Sequence, residues 1–363
     1  MTRRVMVAAG NILTPLGDLQ QTWNGLLAGK RGLDVQQFQS SMDPLPLGVI
    51  DGLEGSFGSW LRLRSMLDRL LADVPMLTGK TALFCATTKA AIDEPVDPVL
   101  DMQLTGQPWQ VGDYLARKMG LQEPVTVSAA CVSGLIAVIR GAMDIRSGKV
   151  DHALIVGFDL LSHFVVTGFS SLKSLSPTGA RPFDCNRDGL SLGDGGGWML
   201  LSAEDALLDS GDNPVYADSW AIACDAVHIT APSRTGVGLL SVLQQIMADN
   251  PPDIGGINGH GTATVYNDAM ELVAFNKTMP PHTPLCSVKG SLGHSLGAAG
   301  IVEALLAVQS IQEMVLPPTV GLVKGEKTIC RLSGTSPLPL AAPSVLTCNS
   351  GFGGINGGLL FRC

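Results

Sequence analysis

The chain has 363 residues, 45% hydrophobic and 15% charged, with 43 glycines and a formal charge of −8. It can bury a large core and is neither disordered nor fibrous, and the acidic balance gives no support for a nucleic-acid binder, which would carry a basic excess or stripe. No run of about 18 apolar residues exists to span a bilayer, and the short apolar start runs straight into Gly10-Asn11 and Thr14-Pro-Leu-Gly17, so a cytoplasmic protein is expected.

Arg4 to Ala9 reads as a strand and Leu19 to Ala28 as a helix stopped by Gly29. Thr81 to Ala86 is a buried strand, a helix follows near Val111 to Met119, and Val125 to Ser128 is a short strand leading to Cys131. From Cys131 to Ile145 apolar residues cover nearly every face, which predicts a helix buried inside a layered core. Gly148 stops it, and Ala153 to Val156 is the next strand. Gly193-Asp-Gly-Gly-Gly197 reads as a tight turn ahead of the apolar stretch Trp198 to Leu201.

The second half repeats the plan. Ile254 to Asn258 is a strand leading to His260, Asp268 to Asn276 is helical, Leu285 to Val288 is a strand, and a second apolar helix runs from Gly297 to Gln312. Asp209-Ser-Gly-Asp-Asn-Pro214 interrupts the pattern between them. The expectation is an internal duplication into residues 1–208 and 209–363, within an α/β layered architecture.

Three separate stretches carry chemistry: Ser128-Ala-Ala-Cys-Val-Ser-Gly134, Asn258-Gly-His-Gly-Thr-Ala-Thr264 and Lys289-Gly-Ser-Leu-Gly-His294. Cys131 stands at a predicted helix start between small residues, where the partial positive charge of free N–H groups favours the thiolate. Glycines flank His260 and precede His294, which exposes each imidazole to a cleft. A neutral imidazole can donate to the enolate formed when a carboxylate leaves as CO2. Lys289, five positions before His294, can orient or charge that site. Gly351-Phe-Gly-Gly-Ile-Asn356 lacks the setting of a dinucleotide loop; its glycines suit a backbone N–H brought against a reacting carbonyl. The eight cysteines show no metal-ligand spacing, so no metal is expected.

These residues resemble the β-ketoacyl synthase family over nearly the whole chain. The likeness also rests on Arg181-Pro-Phe-Asp184, Arg187-Asp-Gly189, Asp225-Ala-Val-His-Ile-Thr-Ala-Pro232, Asn267-Asp-Ala-Met-Glu271, Gly297-Ala-Ala-Gly300 and Gly351-Phe-Gly-Gly354. The resemblance implies a thiolase-like fold, two duplicated halves in five α-β-α-β-α layers, and an acyltransferase that condenses a Cys131-bound acyl chain with malonyl-acyl carrier protein. It implies that His260 and His294 promote decarboxylation, that Lys289 supports His294, and that the N–H groups of Cys131 and Phe352 form an oxyanion hole with the Phe352 ring as a gate. Thr262 and Thr264 resemble the pair that holds the phosphopantetheine arm, with His228 and Thr230 near its mouth and Asp268 and Glu271 as structural acids. The implied partners are acyl carrier protein and a second ketosynthase-like subunit, identical or not. No cofactor is implied beyond the arm that the carrier brings. An acidic carrier calls for a basic patch, with Arg62, Arg64, Arg69 and Arg187 as candidates.

His294 stands where thiolases place a second cysteine and acyl-coenzyme A priming synthases an asparagine, so the set resembles an elongating synthase. The shortened region before Cys131 and the trimmed Asn349-Ser-Gly-Phe352 depart from the housekeeping pattern. Ala86-Thr-Thr-Lys-Ala-Ala-Ile92 resembles compact synthases of bacterial polyene pathways, such as those of aryl polyene pigments. The alternative reading is a chain-length factor, a partner subunit that shapes the tunnel without condensing.

Overall fold

A computed structural model describes residues 2–77, 79–94, 106–207, 213–248 and 253–363. Among these, two strand arrays meet edge to edge in one eleven-stranded sheet. The first array contains β1 (Val5–Leu13), β2 (Thr81–Ala86), β3 (Val125–Val127), β4 (His152–Asp159) and β5 (Gly195–Ala203). The second contains β6 (Tyr216–Cys224), β7 (Gly256–Asn258), β8 (Pro284–Cys286), β9 (Arg331–Leu332), β10 (Ser344–Gly351) and β11 (Ile355–Arg362).

The first array runs β1-β5-β4-β2-β3 and the second β6-β11-β10-β7-β8, with β9 added at the edge. In each, the first two pairings are antiparallel and the next two parallel. The topology therefore occurs twice, joined where Met6 of β1 faces Tyr216 of β6. The expected boundary at 208/209 lies outside the described residues.

The helices are α1 (Leu19–Leu27), α2 (Trp60–Leu70), α3 (Pro108–Met119), α4 (Ser133–Arg146), α5 (His163–Ser171), α6 (Val237–Ile246), α7 (Val265–Thr278), α8 (Lys289–Leu292) and α9 (Ala299–Glu313). Their apolar faces sort them into layers. Met66 and Leu67 of α2 and Val111 and Leu115 of α3 pack on Leu83, Leu154 and Val156 of the first array. Leu239 and Val242 of α6 and Met270 and Phe275 of α7 pack on Ile257, Leu346 and Leu360 of the second. Between the arrays lie α4 and α9, with Leu135, Val138, Ile301 and Leu305 against Ile155 and Met199 on one side and Val345 and Leu359 on the other. Helices on both faces bury the central strands of each array, and in β4 every residue but the first is buried. That is why β4 reads as an unbroken apolar run rather than an alternating one.

The two central helices cross at their first turns through glycine. A Cβ on Gly134 would stand 2.7 Å from the Gly297 oxygen, and one on Gly300 would stand 2.3 Å from the Leu135 nitrogen. Bare backbone at this crossing lets the start of each helix approach the other, which brings the Cys131 turn against the segment that carries His294.

Boundaries shift in physically instructive ways. β5 begins at Gly195, so those glycines open the strand instead of forming a turn before it. Added Cβ atoms would fall 2.6 Å from the Ser295 Cβ at Gly195 and 2.9 Å from the Met66 sulfur at Gly196, so close packing selects glycine there. Val288 belongs to the start of α8, not to the preceding strand. No helix among the described residues is long and apolar enough to cross a membrane.

Candidate active site

Cys131 sits in the turn between β3 and α4, two residues before the helix begins. Ala130 takes a positive φ of 49° to make this turn. The Ser133 hydroxyl fixes it by accepting from Ala129 N at 2.8 Å and donating to Ala130 O at 2.6 Å. The cysteine is only 8% exposed. Burial pushes its thiol up to about 12, against the opposing pull of the Lys289 charge. The expected bias of the helix terminus toward thiolate is thus overturned: desolvation outweighs it, and the resting group is a thiol.

His260 stands in the loop after β7, and two acids of α7 hold that loop. Glu271 accepts from the N–H groups of His260 and Gly261 at 2.7 Å each, and Asp268 accepts from Thr262 N at 3.0 Å and Phe183 N at 2.8 Å. His294 follows α8, its N–H donating to Ser191 O at 2.7 Å. The two rings meet edge-on, with centroids 5.2 Å apart. The Cys131 sulfur and one nitrogen of each ring lie within 4.8 Å of one another.

Lys289 touches His260, not His294 as the sequence suggested. Its ammonium lies 3.2 Å from His260 Nδ1 and donates to His260 O at 2.6 Å. It also forms a buried ion pair with Glu303. Asn349 donates to Glu303 at 2.7 Å, which fixes its amide, and presents the same nitrogen to His260 Nδ1 at 3.2 Å. With donors on both approaches, Nδ1 acts as acceptor and Nε2 carries the proton. Neither nitrogen of His294 has a hydrogen-bond partner among the described residues. Burial first, then the Lys289 charge, holds both imidazoles well below 6.5, so both are neutral.

Glu303 and Asn349 are the site residues that the sequence reading missed. Glu303 had a signal: among residues 299–308 of an otherwise apolar helix, it is the lone charge, and an isolated carboxylate in a fully buried helix needs a partner.

One cysteine and two histidines also have the makeup of a metal site. Metal-bound imidazoles normally donate their other N–H to an acceptor, whereas His294 has none among the described residues. His260 faces an ammonium, which repels a cation. The arrangement fits acid–base chemistry better than coordination.

Two cavities converge on Cys131. One, about 80 Å³, is lined by Thr230, Thr262, Thr264, His260, His294 and Phe352. The other, about 420 Å³, is apolar and includes Phe164, Val165, Leu172 and Leu296. Cys131, Phe169 and Phe352 line both, and the two phenylalanine rings stack at 5.7 Å between them. The Gly351 backbone lies against the cysteine, with an added Cβ falling 3.2 Å from Cys131 N.

Other expected residues lie elsewhere. His228 does not line the cavity; it is exposed, and its Nδ1 accepts from Thr230 N and Ala231 N at 3.1 Å, shaping its own loop. Arg62 is buried on Asp194 at 2.8 Å. Arg187 is buried on Glu326 at 2.7 Å and donates to Val265 O at 3.0 Å. Neither guanidinium is free to meet a carrier. Arg64 and Arg69 are exposed on α2.

Comparison with known proteins fits this geometry. Residues 99–206 match the family described as beta-ketoacyl synthase, N-terminal domain, and residues 216–323 match its C-terminal domain. The chain belongs to the β-ketoacyl synthase family. It is 28% identical to 3-oxoacyl-[acyl-carrier-protein] synthase 2 of Vibrio cholerae, over 99% of both chains. It is 33% identical to the synthase of the same name from Mycobacterium leprae, over 68% of this chain and 61% of the other. A solved ketosynthase complex, ApeO with its chain length factor ApeC from Xenorhabdus doucetiae, contains a chain that superposes with a TM-score of 0.82 at 26% identity, covering 99% of this chain and 98% of that one. The five-layered arrangement is the thiolase-like fold of ketosynthases, and the chain is an acyltransferase-type enzyme with β-ketoacyl synthase function.

Proposed function

We propose that this ketosynthase elongates an acyl chain held on Cys131 by decarboxylative Claisen condensation with malonyl-acyl carrier protein. The observation that carries the reading is a buried sulfur at the junction of two cavities, beside two neutral imidazoles.

In the first step the sulfur attacks a carrier-borne thioester. Its proton passes to an imidazole and on to the departing carrier thiol, so a raised thiol pKa is no obstacle when the base is at hand. The acyl chain then occupies the apolar cavity. In the second step malonyl thioester enters on the threonine side. Its carboxylate leaves as CO2, and His260 and His294 donate to the developing enolate oxygen. The enolate carbon attacks the Cys131 thioester, the oxyanion accepts the N–H groups of Cys131 and Phe352, and collapse returns the sulfur while the β-ketoacyl product leaves on the carrier.

Lys289 acts through His260, keeping Nδ1 an acceptor and the ring neutral. The paired hydroxyls of Thr262 and Thr264, 2.9 Å apart, suit the amides of the phosphopantetheine arm, with Thr230 at the mouth. That arm arrives with the carrier, and no resident cofactor is invoked. Phe352, stacked on Phe169, acts as the gate between arm and acyl chain. We further propose a dimer with itself or with a second ketosynthase-like subunit, and a cytoplasmic setting, in keeping with eight unpaired cysteines. The complete Cys–His–His set favours elongation over a chain-length-factor role, because a tunnel-shaping subunit needs no such set.

The test loads the purified chain, alone and with a neighbouring homologue, using an acyl carrier thioester. Mass gain on Cys131 and malonyl-dependent product are expected, with product lost in Cys131→Ala. His294→Ala should spare acylation and slow decarboxylation. Absence of acylation in both preparations, or full output from Cys131→Ala, refutes the reading.

A further inference from the structure

We propose that Lys89 reads the acyl chain: it donates to an oxygen carried on that chain, so the enzyme favours oxygenated acyl groups over plain alkyl ones. This rests on the proposed acylation of Cys131 and adds the chemistry of the group accepted.

Lys89 is 4% exposed and pairs with Asp159, which is 1% exposed, at 3.2 Å. The carboxylate takes most of its hydrogen bonds from other groups. Asp159 already accepts from the Thr87 hydroxyl at 2.8 Å, the Thr88 N–H at 2.9 Å, the Thr88 hydroxyl at 2.7 Å and Gly297 N at 2.8 Å. Three of these donors fall on Oδ2 and one on Oδ1, so Lys89 supplies one of five bonds to the carboxylate, the second on Oδ1. The ammonium, in contrast, has three N–H groups and one acceptor among the described residues. Its remaining donors serve the cavities that it lines.

Those cavities give the donors a purpose. Lys89 and Thr88 line the apolar cavity that contains Cys131 and Phe352. The same two residues line a second cavity, of about 420 Å³, with Ile92, Trp109 and Thr126. Lys89 thus stands on the wall that both spaces share, along the path open to a chain leaving the sulfur. A saturated alkyl chain packed there would strip water from an ammonium and return nothing. A carbonyl or hydroxyl oxygen along the chain replaces that water on one of the two remaining N–H groups. A site built to bond an oxygen rejects the analogue that lacks it far more strongly than an apolar site discriminates by size.

The test measures the rate of Cys131 acylation by intact mass, using octanoyl, 3-hydroxyoctanoyl, 5-oxooctanoyl and octa-2,4-dienoyl pantetheine thioesters. The native chain should take at least one oxygenated thioester about tenfold faster than octanoyl. Lys89→Met should bring that ratio within about twofold by gaining on octanoyl and losing on the oxygenated chain, and Lys89→Gln, which keeps a donor, should fall between. Thermal melting checks that each variant folds, and if Lys89→Met does not, the native panel and Lys89→Gln decide. Equal rates across the panel, a preference for octanoyl or the dienoyl chain, or an unchanged ratio in a folded variant overturns the inference. Failure of every thioester to acylate Cys131 would instead strike the proposed function.

Discussion

Among the described residues, two lysine–carboxylate pairs are buried, one in each half, and they are constructed in opposite ways. In the second half, Lys289 has three acceptors, His260 Nδ1, His260 O and Glu303, while Glu303 has one other donor, Asn349. In the first, Asp159 holds four donors besides Lys89, and among the described residues Lys89 has only Asp159. One cation is consumed by the protein and the other is in surplus. A buried ion pair therefore says little about purpose until the hydrogen bonds of each partner are counted separately.

The contrast breaks most visibly at Lys289. Lys289→Met leaves Glu303 buried with one donor and frees His260, and it should cost about 3–5 kcal/mol of stability in chemical denaturation and about 100-fold or more in condensation rate. Lys89→Met should cost clearly less stability, because Asp159 keeps four donors. Equal losses would erase the distinction.

Next in size is Gly134→Ala, which drives a methyl group against the Gly297 carbonyl at the helix crossing. A loss of about 1–3 kcal/mol is expected, accompanied by slower condensation because the Cys131 turn moves relative to His294. Unchanged melting would mean that the crossing yields.

A third measurement sharpens the comparison through pH. Both imidazoles titrate below their ordinary value of 6.5 in the folded chain. Unfolding therefore takes up protons at acid pH, and their stabilising contribution is complete above 6.5 and lost as pH falls below it. Lys289→Met should raise the His260 midpoint toward 6.5 in an NMR titration and flatten the acid limb of stability. Lys89→Met should leave the His260 midpoint in place.

The smallest effect separates the arginines. Arg64→Ala, on an exposed side chain 3.6 Å from Asp68, should change stability by less than about 0.5 kcal/mol. Arg62→Ala leaves the buried Asp194 carboxylate with the Ile50 and Leu161 N–H groups but without its cation, and should cost several-fold more by the same denaturation assay.

Much of the architecture was legible because a chain buried on both faces writes its strands and central helices as apolar runs. The residues 131–145 and 297–312 announced the middle layer, and the strands before Cys131 and His260 announced where the chemistry would converge. What could not be read was partnership at a distance. Arg62 looks like a solvated helix residue until Asp194, 132 positions away, is brought to it. Lys289 looks assigned to His294 by proximity in sequence, yet the short α8 turns its ammonium to His260. The thiol was misjudged for a related reason: a helix start is visible in sequence, but the depth of burial that outweighs it emerges only from the assembled layers.

The crossing of α4 and α9 at Gly134 and Gly300 carries one more consequence. Residues that merely border the acyl space can be exchanged one at a time, each swap retuning which chains fit. The contact between the two helix starts has no side chain to exchange, so its spacing can change only by moving main chain in both repeats together. Substrate choice can therefore diversify while the distance from sulfur to imidazole remains inherited.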